Sequence, residues 1–130
     1  MVRAVSIAIC HGGGPLPVMD HPGSAEISKS LRTKAPKLLR LCTPDTPSTI
    51  VAVTAHWSEG KPTISNSKRH TLCYDYYGFP PEAYKLKYNG PGSPEVAQEV
   101  FDMLRSFGME PEMDSKRGTF MHCDISECIL

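Results

Sequence analysis

Two histidines occupy matched positions in this sequence. His11 follows the run VSIAIC and His56 follows TIVAVTA, each directly beyond an apolar stretch rich in β-branched residues. Neutral imidazole suits zinc or ferrous iron. If the two runs are neighbouring strands of a parallel sheet, about 5 Å apart, both rings project from one edge and reach a single metal ion. A lone histidine at a strand end more often hydrogen-bonds a nearby loop, but a second one in a matched position shifts the odds toward a metal.

The glycines after His11 open a different chemistry. An HGGG stretch followed by proline can present backbone N–H groups to an oxyanion, as in esterases, but that use requires a serine on a G-x-S-x-G elbow, and the sequence has none. The glycines also lack the spacing of a phosphate-binding P-loop. A tight turn needing positive φ is the structural alternative. Trp57, Tyr77 and Phe79, with Tyr74 and Tyr76, could line a flat apolar pocket for an aromatic ligand, although loop anchoring would use them equally well. His21, next to Asp20 in a glycine-proline loop, reads as surface, and His70 beside Lys68 and Arg69 is given no role.

The elements that would position these residues follow from pattern. Residues 2–10 and 49–55 read as buried strands and residues 63–65 as a short one. Ser24 can cap a helix with apolar positions at Ile27, Leu31, Ala35, Leu38, Leu39 and Leu41, which Pro36 should kink or split. Ser93, Pro94 and Glu95 open a second helix that runs through Phe107 and closes at Gly108. Between them, the aromatic and proline-containing stretch 74–88 reads as a long ordered loop. Alternation of strand and helix points to an α/β fold with a mainly parallel sheet and flanking helices. Ligands of such sheets gather beyond the carboxyl ends of the strands, where both histidines stand.

Composition narrows the partners. In 130 residues, 14 Lys and Arg balance 14 Asp and Glu, which gives no general attraction to nucleic acid or to an anionic membrane. Hydrophobic residues make up 40% and charged residues 22%, the range of chains that fold around a core. The five cysteines are odd in number and contain no C-x-x-C pair, which argues for a reducing, cytoplasmic setting. No apolar run is long enough to span a bilayer.

Beyond the two histidine blocks, the stretch YYGFPPEAYKLKYNGPGSPEVA is the most diagnostic part of the sequence. Strand-HGGGP, then strand-AHW, then this third block with Gly78 to Pro80, Tyr84 to Tyr88 and Pro91 to Pro94, resembles the 4,5-DOPA dioxygenase group of class III extradiol ring-cleavage dioxygenases. The resemblance implies a non-haem metal site, Zn(II) or Fe(II), with His11 and His56 as ligands. It implies a catechol and dioxygen as substrates, with oxygen inserted beside the diol to open the ring. Trp57, Tyr77 and Phe79 become the candidate substrate-binding residues. The fold implied is the N-terminal half of the extradiol dioxygenase catalytic domain.

The resemblance runs through Arg117 and Gly118, after which an Asp-His-Gly block is expected and GTFMHCDISECIL stands instead. His122 has neither flanking residue of that block, so no catalytic residue is assigned. Residues 1–118 thus read as the N-terminal part of the catalytic domain and 119–130 as a divergent tail. A truncated chain is expected to bind at most one ion and not to turn over catechols by itself. Its uncovered apolar strand edge should favour self-association. The alternatives are a non-catalytic metal-binding or interaction remnant and an esterase-like fragment using the HGGG loop.

Overall fold

The computed structural model describes residues 4–88 and 90–120, with Thr119 and Phe120 described by their backbone. These fall into two compact units. One holds the described residues up to Ile50 together with Gly78–Lys85, and the other holds Val51–Tyr77 with the described residues from Leu86 onward.

In the first unit the glycine-proline loop closes on itself. The Pro15 carbonyl accepts from the N–H groups of Val18 and Met19 at 3.0 and 3.1 Å, and Pro15 and Pro17 are buried. Gly14 has φ +54°, and a Cβ there would run into the Phe79 ring, so backbone freedom and close packing both call for glycine. A 3₁₀ turn, Pro22–Ser24, then leads into helix α1, Ala25–Leu38. Ser24 stands at the N-cap as the sequence suggests, but its side chain makes no capping bond. His21 Nδ1 instead accepts from the Gly23 N–H at 3.1 Å, which satisfies an opening donor one turn earlier. The buried Ser28 hydroxyl lies 2.7 Å from the Pro17 carbonyl and ties the helix to the loop.

Pro36 does not split α1, which runs unbroken to Leu38. It sits in the last turn, where its missing N–H removes a single bond from a helix that is already ending. Arg40 at φ +56° makes the stop: its N–H donates to the Lys37 carbonyl at 3.2 Å and the Leu41 N–H to the Pro36 carbonyl at 2.9 Å. This is a Schellman ending without glycine, and it buries Leu39 and Leu41 while leaving Leu38 exposed. A further 3₁₀ turn, Pro81–Lys85, carries the fully buried Ala83, so the expected long loop has an ordered centre.

The second unit contains strands β1 (Thr63–Ser65), β2 (Arg69–His70), β3 (Leu72–Cys73) and β4 (Gly90–Pro91), helix α2 (Pro94–Ser106), and strands β5 (Glu112–Asp114) and β6 (Thr119–Phe120). β1 pairs parallel with β5, Ile64 opposite Met113, and α2 packs on β1 within the crossover between them. β3 pairs parallel with β6, and β2 pairs antiparallel with β4. Among the described residues the architecture is therefore α/β with mainly parallel pairing, in three two-stranded ladders.

α2 starts as its sequence dictates. Ser93 Oγ accepts from the Val96 N–H at 3.2 Å, Pro94 takes the position where an N–H would be unsatisfied, and Glu95 lies in the first turn near the positive end of the helix. Its end is a second Schellman motif, with Gly108 at φ +78° and bonds from Gly108 to Arg105 and from Met109 to Leu104. The Ser93→Ala variant is expected to lose about 1 kcal/mol, read as a lower urea midpoint with an unchanged slope. An unchanged midpoint would mean that the cap adds nothing to stability.

Two expected strands do not form among the described residues. Residues 4–10 and 49–55 have no ladder partner among the described residues, and residues 2–3 lie outside them. Val51 is 60% exposed and Val53 96%. Apolar, β-branched composition makes a segment suitable for a buried strand, but a strand also needs a neighbour to take up its N–H and C=O groups. Without that neighbour neither run is assigned as strand.

Candidate metal site

His56 stands in a turn just after the 49–55 run, where its backbone N–H donates to Thr54 Oγ1 at 3.1 Å. Its ring is fixed from the other side. Nδ1 lies 2.8 Å from Oδ2 of Asp75, and the two side chains are 33% and 21% exposed. Asp75 is two residues beyond β3, so the β3–β6 pairing sets its position. Gly118 permits that pairing, since a Cβ there would overlap the Thr71 carbonyl oxygen.

Trp57, the next residue, is held in a small polar cluster. Its indole N–H donates to Glu59 Oε1 at 2.7 Å, and the Arg117 guanidinium lies 5.0 Å from the ring centroid. Arg117 Nη1 is 3.7 Å from the same Glu59 oxygen. The backbone of Arg117 is set in turn by Asp114, whose Oδ1 accepts from the N–H groups of Lys116 and Arg117 at 2.6 and 3.0 Å. Those two bonds hold the Asp114 carboxyl below its ordinary pKa. The segment bearing His56 is thus anchored through Trp57 to the turn that follows β5.

The remaining candidates are distributed as follows. His11 belongs to the first unit, half-buried at the start of the glycine-proline loop. Phe79 lies in the same unit, packed on Gly14 of that loop. Tyr77 belongs to the second unit and is 92% exposed. Near it, Tyr74 and Tyr76 meet edge to face with centroids 6.0 Å apart, and the Tyr74 hydroxyl donates to the Leu86 carbonyl. His21 caps the 3₁₀ turn at the surface, and His70 in β2 has Nδ1 3.3 Å from Ser65 Oγ. His122 lies outside the described residues. Sequence reasoning missed Asp75. The available signal was that it is the only carboxylate between Glu59 and Glu82, placed in an otherwise aromatic stretch.

The carboxylate at His56 Nδ1 is of the kind that commonly backs a metal-ligating histidine. A neutral imidazole that donates Nδ1–H to a carboxylate carries its lone pair on Nε2, the arrangement common to metal-ligating histidines. No group of three or more His, Cys, Asp or Glu that could hold an ion occurs among the described residues. Cys10, Cys42 and Cys73 are thiols rather than disulfide partners. No helix of the described residues is long and apolar enough to cross a membrane.

Comparison with known proteins agrees with the motif reading. No family model matches the chain. The dioxygenase tasH of Hapsidospora irregularis is 47% identical over 120 residues, which cover 91% of this chain and 37% of that protein. The 4,5-DOPA dioxygenase extradiol proteins of Mirabilis jalapa and Beta vulgaris are 35% and 37% identical, each over 55% of this chain and 27% of their own length. The chain is thus a sequence relative of the 4,5-DOPA dioxygenase extradiol proteins, spanning 27% to 37% of the length of these three relatives.

Proposed function

We propose that this chain is part of a metal-dependent extradiol dioxygenase of the 4,5-DOPA type, in which His11 and His56 are ligands of one Zn(II) or Fe(II) ion. The observation that carries the metal reading is the 2.8 Å contact between His56 Nδ1 and Asp75, which suits a ligating imidazole. The reaction class rests on relatives whose names are dioxygenase and 4,5-DOPA dioxygenase extradiol. When bound, such an ion acts as a Lewis acid that favours the deprotonated diol of a catechol and templates its reaction with dioxygen.

The chain's own residues hold and surround that chemistry. His56 is oriented by Asp75, and Trp57 is fixed by Glu59 and Arg117. Trp57, Tyr77 and Phe79 are the aromatic faces assigned to the catechol ring. A cytoplasmic setting, where thiols stay reduced, suits Cys10, Cys42 and Cys73. Self-association through an exposed sheet edge belongs to the same reading.

The test joins the chain to the portion of a 4,5-DOPA dioxygenase that it does not span, loads the product with Fe(II) without oxygen, and then adds DOPA and air. Oxygen uptake with a yellow ring-opened product is expected from the joined chain, and the 130-residue chain alone should give none. His56→Ala should remove the activity of the joined chain, because a lost ligand displaces the ion. Undiminished turnover in that variant would overturn the assignment of His56.

A further inference from the structure

We infer that Asp75 is a positioning residue, which fixes the His56 ring in its Nδ1–H tautomer and so directs Nε2 toward the metal. This rests on the proposal that His56 is a ligand. The geometry is specific: Nδ1, not Nε2, faces the carboxylate, at 2.8 Å, and Asp75 is the less exposed of the two side chains. An isolated neutral imidazole divides its proton between the two nitrogens. A carboxylate accepts hydrogen bonds and donates none when ionised, so it selects the form with the proton on the nitrogen facing it.

The backbone supports on each side strengthen the case. His56 is held by its N–H bond to Thr54 Oγ1, and Asp75 by its place next to β3. The ring is therefore braced at its root and at Nδ1, and the remaining rotation about its side chain is limited. A ligand so braced loses less conformational freedom when it binds an ion, which adds to affinity. Partners of this kind typically change metal affinity by roughly 10- to 100-fold when mutated.

The experiment uses the 130-residue chain with ¹⁵N-labelled histidine and Zn(II) alone as the probe. Long-range ¹H–¹⁵N correlation of the metal-free chain should show His56 as the Nδ1–H tautomer. Asp75→Asn keeps the side-chain volume but can turn an amide donor toward Nδ1, so the proton should move to Nε2 and the Zn(II) affinity should fall roughly 10- to 100-fold. Asp75→Glu should restore the tautomer and much of the affinity. If Asp75→Asn changes neither property while His56→Ala abolishes binding, the positioning role is wrong and the metal reading survives. If His56→Ala leaves the Zn(II) affinity unchanged, the metal reading fails and the positioning role fails with it.

Discussion

Titration of the chain with Zn(II) is expected to reveal at most one site, which the His11→Ala, His56→Ala double variant removes. A structural zinc site with a full protein shell contributes about 10–16 kcal/mol of binding free energy. On the proposed reading, two imidazoles would supply half of a tetrahedral shell and water the rest. Roughly half of that free energy, about 5–8 kcal/mol, corresponds to dissociation constants from about 0.2 mM down to about 1 μM. Loss of both ligands should weaken binding by roughly 100-fold or more, beyond the range of calorimetric titration at ordinary concentrations. His70 and His21 serve as controls, because one is engaged with Ser65 and the other caps a turn. Unchanged affinity in the double variant would remove the metal-site reading, and a loss of equal size in His21→Ala would show that the ion binds nonspecifically.

Gly92→Ala should be among the most damaging single-methyl substitutions in the second unit. A Cβ at Gly92 would overlap the backbone carbonyl oxygen of Ser67 and sit 2.7 Å from His70 Nε2. The neighbour is main chain, and it cannot swing aside as a flexible side chain would. The Gly92 N–H also donates to the Lys68 carbonyl at 2.9 Å, so retreat of the segment would break a bond and disturb the Ser93 cap of α2. Overpacking of this kind costs typically about 1–3 kcal/mol, and the backbone contact places Gly92→Ala at the upper end, about 3 kcal/mol. With a urea slope of about 1–3 kcal/mol per molar, the unfolding midpoint should drop by about 1–3 M. Gly60, with open space around its Cβ position, is the control and should change by less than about 0.5 kcal/mol. Equal midpoints for the two variants would show that the close approach at Gly92 does not limit stability.

Local signals in the sequence were reliable where a few neighbouring residues complete the structure. Ser93, Pro94 and Gly108 mark the two ends of α2 because caps and Schellman turns involve only residues within one helical turn. The short strand at Thr63–Ser65 was legible for a similar reason, as a β-branched run between breakers. The order of the HGGGP, AHW and GFP blocks carried the relationship to the extradiol dioxygenases, which the sequence comparisons bear out. Pro36 misled because a proline's effect depends on where the helix ends, and Arg40, a non-glycine residue in the left-handed region, set that end.

The sequence by itself determined both ends of α2 and the start of α1, the placement of His11 and His56 directly after apolar runs, and the family to which those blocks are related. Tertiary structure decided which segments are strands and what His56 touches. Residues 4–10 and 49–55 have strand composition, yet a ladder requires a partner that no local pattern specifies. Asp75 lies nineteen positions from His56, and only the β3–β6 pairing and the turn at residues 54–57 bring the two within 2.8 Å. Nonlocal contacts of this kind depend on the path of the whole intervening chain, so their residue types can be read in advance but their pairing cannot.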